Sequence, residues 1–498
     1  MREIVKQDYK FKTDPYDHQA QLFYNTRDLP LYALLWEQGT GKTKVIIDTV
    51  VYLYNCGKID SFLIIAPNGV HHNWIDVEIP IHLPDYCPYW SVGWETSNKT
   101  KAYTKKLHRL FDDKEELKIL AMNVESYSTK RGREFGRKFV NNNSNTLIVV
   151  DESSRIKSHK TNRTKAIVLL GKHAKYKRIL TGTPVTKWPL DLFTQFQFLD
   201  PEILYFNSFY TFKHHYADIK NRVVKVNRGG RMVDHKYEEV LRFINLDEMK
   251  RKIDPYSHRI TKKECLDLPS KIYMTIKVEM SPIQKKVYKE LKVNLILQLV
   301  KEHVPIPMVL TRLLRLQQIT GGFVPIDEEG NVEPVDKINA KISALLYDIK
   351  DVEGSVIIWA RFRAEIKAIY QALIEEYGYN SAGTYFGETS RHDRKTLIAS
   401  FQDKKTRFFI GNPQSAGLGL TLTAANTVYY YSNDFNLENR LQSEDRCHRI
   451  GQHNPVVYKD LICPDTVDID VVNALRNKKN LADIITGDSI RQLLQMIL

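Results

Sequence analysis

Short apolar runs that stop at polar or glycine-rich turns recur along this chain, and they restrict the folds open to it. Four lie in the first half: LYALLW (31–36), FLIIAP (62–67), LIVVDE (147–152) and KRILTGTP (177–184). Runs of this length suit strands buried on both faces, as in a parallel sheet covered by helices. A second series follows at SVIIWA (355–360), FFIGNP (408–413), TVYYYSN (427–433) and VVYKDLIC (456–463). Between its first members, Phe362, Ile366, Ile369, Leu373 and Ile374 fall on one helical stripe, which a crossover helix requires. The expected class is α/β, with two doubly wound parallel-sheet lobes.

The intervening stretch, 205–345, has a different grammar. In SPIQKKVYKELKVNLILQLVKEH (281–303), Val287, Leu291, Leu295 and Leu299 repeat every four residues, the pattern of a long amphipathic helix. RVVKVNRGGRMVDHK (222–236) reads as a hairpin with Gly229 and Gly230 in its turn and basic residues on both arms. The expected division is a first lobe over 1–204, helical insertions, hairpin and linker over 205–345, a second lobe over 346–470, and C-terminal bracing helices over 471–498. In that last segment Val471, Leu475 and Ile484 read as packing positions.

The net charge of +14 favours a polyanionic partner, because clustered Lys and Arg gain affinity by displacing counterions from phosphates. Nucleic acid is the first candidate and a membrane surface the second. Cys56, Cys87, Cys265, Cys447 and Cys463 are odd in number and never spaced C-x-x-C, which speaks against a disulfide framework or a zinc site. The amino terminus lacks a signal-peptide core, and no apolar run approaches the roughly 18 residues that span a bilayer. A soluble, cytoplasmic protein is expected, with no membrane partner.

Chemistry concentrates in three places. In WEQGTGKT (36–43) the glycines let backbone N–H groups approach phosphate oxygens, and the following helix turns its positive end toward them. Gly39, Thr40 and Gly41 form the cradle, Lys42 meets the β/γ-phosphates, and the Thr43 hydroxyl ligates Mg²⁺. The strict G-x-x-x-x-G-K-[ST] pattern is not met, because Trp36 stands at the first glycine position. LIVVDESS (147–154) ends a strand on two carboxylates: Asp151 to hold the Mg²⁺ shell, Glu152 to orient and deprotonate the attacking water. QSEDRCHRIGQ (442–452) then offers Gln442, Arg446 and Arg449; an arginine presented to the γ-phosphate stabilises transition-state charge. A nucleotide site built from both ends of a chain implies two lobes closing on ATP.

The ordered segments resemble helicase superfamily two, and within it the Swi/Snf-like ATPases with their bacterial and phage relatives. DPYDHQAQLF (14–23) is similar to the segment in which the family reads adenine, which implies that role for Gln19. LIIAPNGVHHNW (63–74), AMNVESYST (121–129) and LTGTPVTKWPLDLF (180–193) follow in family order, with Thr181 and Thr183 where the family links nucleotide state to lobe movement. NLDEMKRKIDPYSHRITKKECLDLPSKIYMTIKVEMSPIQKKVY (245–288) resembles the connecting region. SVIIWARFRAEI (355–366), TYFGETSRHDR (384–394) and GLGLTLTAANTVYYYSNDFNLENRLQSEDRCHRIGQ (417–452) resemble the second lobe, and HRIGQ separates this group from the DEAD-box branch. The chain departs from the family where Ser154 replaces a common histidine, where Trp36 replaces a frequent acidic residue, and where GNPQSA precedes Gly417.

The resemblance implies two RecA-like lobes, ATP with Mg²⁺, and translocation along one strand of duplex DNA. Backbone tracking needs amides and hydroxyls rather than base-reading groups. Its candidates are Pro67, Asn68 and Asn73 in the first lobe and Gly417, Thr421 and Thr423 in the second, while Trp74 reads equally as core. Lys130, Arg131, Arg133, Arg137 and Lys138, and the hairpin's Lys220, Arg222, Lys225, Arg228 and Arg231, are either duplex grips or solvated faces. A double-stranded-DNA translocase is expected, a strand-separating or annealing helicase is its enzymatic rival, and a non-hydrolysing DNA scaffold is the rival of another class. With 46 residues after Gln452, a compact bacterial or phage monomer is expected, with room for a partner protein that supplies specificity.

Overall fold

All four apolar runs of the first half become strands of one sheet. In chain order its unit contains β1 (Leu31–Trp36), β2 (Ser61–Ala66), β3 (Tyr89–Gly93), β4 (Leu117–Asn123), β5 (Thr146–Asp151), β6 (Tyr176–Leu180), β7 (Ala217–Arg228), β8 (Arg231–Phe243) and β9 (Ser257–Ile260). Seven of these pair in the order β3-β4-β2-β5-β6-β1-β9, every neighbour parallel. The computed structural model describes residues 9–112, 114–143, 145–184, 188–228, 231–301, 306–327, 331–416 and 420–476. Two compact units divide them, Met1–Cys265 and Leu266–Leu498, with the boundary inside the 205–345 stretch.

β2 and β5 are buried at every residue, which is why their sequences run apolar without alternation. Leu63, Ile65, Ile148 and Val150 share one core with Phe139, Phe196 and other helix residues. The alternate residues Phe62, Ile64, Leu147 and Val149 are equally buried, and the two-residue period turns them to the other face. Arg178 on β6 is fully buried, and its guanidinium donates to the carbonyls of Thr26, Leu29, Pro30 and Lys177, tying the sheet to the chain that enters β1. Because the strands are parallel, the segments after β1, β2, β5 and β6 all leave at one edge, where open parallel sheets place their ligands.

In the second unit β10 (Lys271–Lys277), β11 (Phe323–Pro325), β12 (Val332–Pro334), β13 (Ser355–Trp359), β14 (Ala382–Tyr385), β15 (Phe408–Gly411), β16 (Ala425–Tyr430) and β17 (Val456–Ile462) follow one another. Six form a parallel sheet in the order β10-β17-β16-β13-β15-β14, and β11 pairs with β12 alone. The crossover helix runs Arg363–Tyr377 and buries Ile366, Ile369 and Leu373; Phe362 is its N-cap and Ile374 is half-buried.

The middle stretch is less purely helical than its sequence suggests, for it gives an edge strand to each sheet, β9 to the first and β10 to the second. β7 and β8 form an antiparallel hairpin paired from Ala217↔Phe243 to Arg228↔Arg231; Gly229 and Gly230 lie outside the described residues. The long helix spans Pro282–Lys301; Val287 and Leu291 are partly buried and pack with Tyr288 in one core, Gln284 is also buried, and the side chains of Leu295 and Leu299 lie outside those described. Val471 and Leu475 sit on the helix Val467–Arg476 and pack into the same core as Tyr288 and Leu313; Ile484 lies outside the described residues. All five cysteines are free. Among the described residues no helix is long and apolar enough to cross a membrane, and no cluster of His, Cys, Asp and Glu has the make-up of a metal site.

Candidate nucleotide site

β1 ends at Trp36 and the helix Lys42–Asn55 begins six residues later, so the phosphate loop is the five-residue segment between. Gly39 and Gly41 have φ of 79° and 84°, a region that side chains disfavour. A Cβ on Gly41 would also stand 1.9 Å from the Gln19 amide nitrogen. Trp36 does not disturb the loop, because it is the last strand residue: its ring is buried and its indole donates to His258 Nδ1 at 2.8 Å. Only its carbonyl serves the loop, accepting from Lys42 Nζ at 2.9 Å beside the Glu37 carbonyl at 3.1 Å. Edge strand β9 braces this turn through Glu37 N–H to the Ile260 carbonyl and Lys262 N–H to the Glu37 carboxylate.

The segment before the first helix braces the loop from another side. Gln19 Oε1 accepts from the Tyr16 N–H at 2.9 Å, and its amide donates to the Gly41 carbonyl at 3.1 Å. His18 Nε2 bonds the Thr40 carbonyl at 2.9 Å. Gln19 is buried, so its amide couples loop geometry to the segment that the resemblance assigns to adenine.

Asp151 closes β5. Its Oδ1 accepts from the Glu152 N–H at 3.0 Å and its Oδ2 from the Trp74 indole at 2.9 Å. Burial pushes the carboxyl above its ordinary range, while the Trp74 bond and the Lys42 charge pull it down. Glu152 has φ 50°, a left-handed conformation that is costly for any residue with a Cβ and collects at functional sites. Its Oε1 accepts from the Gln38 amide at 2.9 Å, so a phosphate-loop side chain holds the second carboxylate. After β6, the Thr181 N–H reaches the Leu34 carbonyl and Thr183 N–H donates to Thr181 Oγ1 at 3.1 Å. A Cβ on Gly182 would meet Gln38 at 2.9 Å, which places this segment directly against the loop. Thr43 lies in the first turn of the helix, half-buried.

The segment after β2 divides by residue. Asn68 is exposed, Pro67 is buried and Asn73 is half-buried with its amide on Glu78. Trp74, open in the sequence between contact and core, is core at 1% exposure. Its bond to Asp151, like that of Gln38 to Glu152, joins positions far apart in sequence that no motif couples.

In the second unit the helix Leu437–Glu444 presents Gln442, buried, with its amide on Glu438. Arg446 Nη1 and Arg449 Nη1 both donate to the Leu420 carbonyl, at 3.3 and 3.1 Å. Gln452 donates to the carbonyls of Ala425, Thr423 and Cys447, and Thr423 Oγ1 accepts from Gln402. The arginines therefore share one frame with Thr421 and Thr423; Gly417 lies outside the described residues. Arg440, unmarked by the sequence, anchors this helix through Asp460 at 2.5 Å and stacks 3.5 Å over the Tyr430 ring.

Triphosphate chemistry of this kind, set at the edge of a parallel sheet and accompanied by a second parallel sheet with its own arginine segment, is that of a helicase-like ATPase. The chain matches the model of the SNF2-related domain over residues 33–321 and of the helicase conserved C-terminal domain over 337–451. It belongs to the SNF2-related family. Similar proteins include a Caenorhabditis elegans SWI/SNF-related regulator of chromatin containing DEAD/H box 1 homolog, 24% identical over 92% of this chain and 50% of that protein. A Danio rerio chromodomain-helicase-DNA-binding protein 1-like is 25% identical over 92% of this chain and 42% of its own length. An ATP-dependent helicase of Mycoplasma genitalium is 24% identical over 89% of this chain and 39% of its own. The chain thus spans half or less of these curated relatives. Among solved structures it is similar to the Sulfolobus solfataricus SWI2/SNF2 ATPase core in complex with dsDNA, at 23% identity, 99% coverage of both chains and a TM-score of 0.41.

Proposed function

We propose that this protein hydrolyses ATP to move along double-stranded DNA. The observation that carries the reading is the convergence of Lys42, Gln38, Asp151 and Glu152 at the carboxyl edge of one sheet, with the carboxylates already held by donors. Magnesium takes hard oxygen ligands and keeps water and phosphate oxygens in its shell. The Thr43 hydroxyl and the Asp151 carboxylate fit that demand, and the ion would supply charge neutralisation at the β- and γ-phosphates. The loop N–H groups cradle the phosphates, Lys42 turns from the Trp36 and Glu37 carbonyls to the γ-phosphate, and Glu152 takes the proton of the attacking water.

Arg446 and Arg449 complete the reaction from the second lobe on closure, so each turnover changes the spacing between lobes. Thr181 and Thr183 carry that change in the first lobe, and the exposed Asn68 with Thr421 and Thr423 follows the phosphate backbone. The charge of +14 supports a polyanionic track. Free cysteines throughout support a reducing, cytoplasmic setting, in a bacterial cell or a phage-infected host.

One feature favours strand separation as a second reading: the two-stranded hairpin β7–β8 stands outside both sheets and bears Lys220, Lys225, Arg228 and Arg231. A wedge of that kind has to supply on average about 1.4 kcal/mol per base-pair step. The deciding experiment is ATP turnover with no nucleic acid, single strands, duplex DNA or RNA, with Lys42→Ala as blank. Duplex stimulation supports the translocase, stimulation by single strands alone supports the helicase, and absence of turnover sinks both in favour of a scaffold.

A further inference from the structure

Trp74 stands at a junction that the reaction above does not use. Its indole N–H donates to Asp151 Oδ2 at 2.9 Å, and the ring is buried edge-on to Phe62, centroids 6.0 Å apart. It opens a five-residue π-helical turn, Trp74–Glu78, set between the α-turns Val70–Asn73 and Ile79–His82. Wide turns of this type are rare and concentrate at functional sites, where they re-aim a side chain.

The same stretch of backbone begins at the exposed Asn68. The Pro67 carbonyl accepts from the N–H groups of Val70 and His71, the Gly69 carbonyl from Asn73, and the Val70 carbonyl from Trp74. Pro67 to Trp74 is thus one hydrogen-bonded piece, and a force on its exposed end is felt at the indole. The sheet order explains why the indole reaches the carboxylate: β2 lies beside β5, so the chain leaving β2 passes the end of β5. Asp151 has its other oxygen on the Glu152 N–H, so the two donors together fix the plane of the carboxylate.

We propose that Trp74 is a positioning residue that relays DNA contact at Pro67–Asn73 to the carboxylate that holds Mg²⁺. The proposal rests on the reading of the protein as a DNA-stimulated ATPase. The bond already orients Asp151 without DNA; DNA bound at Asn68 and its neighbours stiffens the segment, tightens the hold of the indole and sharpens the Mg²⁺–nucleotide geometry on the track.

The test compares the full chain with Trp74→Phe, which keeps an aromatic ring and loses the donor, and with Phe62→Leu, which loosens the packing around the indole and leaves the bond. Two quantities are read: the Mg²⁺ concentration for half-maximal binding of a fluorescent ATP analogue without DNA, and the ratio of turnover with and without duplex. Trp74→Phe is expected to raise the Mg²⁺ midpoint and cut the ratio, each about tenfold, the low end of what a hydrogen bond to a charged group is worth. Phe62→Leu is expected to leave both within about twofold of wild type. Should Trp74→Phe not fold, the benzothiophene analogue of tryptophan at position 74 removes the N–H and keeps the shape. A donorless variant that matches wild type in both quantities, or a Phe62→Leu that shifts them equally, overturns the relay alone. A wild type indifferent to duplex DNA overturns the functional reading and the relay with it.

Discussion

Gln38 donates its side-chain amide to Glu152 Oε1 at 2.9 Å, and through that bond the phosphate loop holds the carboxylate proposed above as the base. The bond compensates for a backbone that alone would not hold the group, since Glu152 sits at φ 50°. Gln38→Leu removes this donor and loosens the carboxylate. The expected result is a kcat lower by about tenfold with KM for ATP little changed, since hydrogen bonds to charged groups are worth about 1.5–3 kcal/mol. Gln38→Glu, which sets like charges together, is expected to lower it further; steady-state kinetics at saturating duplex DNA measures both.

Arg446 and Arg449 share the Leu420 carbonyl as acceptor, so each holds the other's frame when one is removed. Arg449→Ala is expected to cut kcat by about 10³-fold, the lower end of an arginine finger's effect, while a fluorescent ATP analogue still binds within a few-fold of wild type. Loss of binding in step with turnover would place the arginine in the ground-state site instead.

Arg178 does structural work at the opposite end of the sheet from the phosphate loop. Burial lowers its guanidinium pKa to about 10, and its donors go to four backbone carbonyls. Arg178→Met fills the space and removes the guanidinium donors; the Pro30 and Thr26 carbonyls keep the N–H groups of Lys177 and Leu29, and any acceptor left unmet costs about 1–3 kcal/mol. Urea unfolding is expected to lose about 3–5 kcal/mol, because neighbouring groups recover part of the bonding.

His82 predicts a pH dependence. Burial and the Lys44 charge hold its imidazole pKa down at about 4, with Nδ1 2.7 Å from Thr13 Oγ1. The unfolded value is near 6.5, so between those limits the unfolded chain binds a proton that the folded chain refuses. The stability is whole above about pH 6.5 and declines on acidification, by about 2 kcal/mol at pH 5. His82→Gln is expected to remove that share of the slope in urea titrations at pH 7 and 5.

The apolar runs announced the sheets because parallel strands buried on both faces cannot hide their composition; β2 and β5 contain no exposed position. Three of the strands that escaped lack that constraint. β10 exposes Ile272, Tyr273 and Met274 as an edge strand, β9 has four residues, and β3 has a single buried residue. The site is legible to the same degree. Lys42, Asp151 and Glu152 sit at the loop and strand end that the local patterns mark. The contacts that orient them are not so marked, because Trp74 meets Asp151 across 77 positions and Gln38 meets Glu152 across 114. Those pairs follow from the strand order β2-β5-β6-β1, which no local pattern encodes. The periodicity of the long helix marks Val287 and Leu291, which pack against its core, but not Gln284, which is buried because its amide reaches the Ile319 carbonyl at 2.6 Å.

ATP-driven displacement of a third strand from a duplex tests movement most directly, since a motor tracking the duplex must eject whatever lies in its path. Wild type is expected to release the third strand only with ATP, after a lag that lengthens with the duplex between the loading end and the triplex, and Glu152→Gln to release none. Release without ATP, or at a rate independent of that length, would contradict translocation.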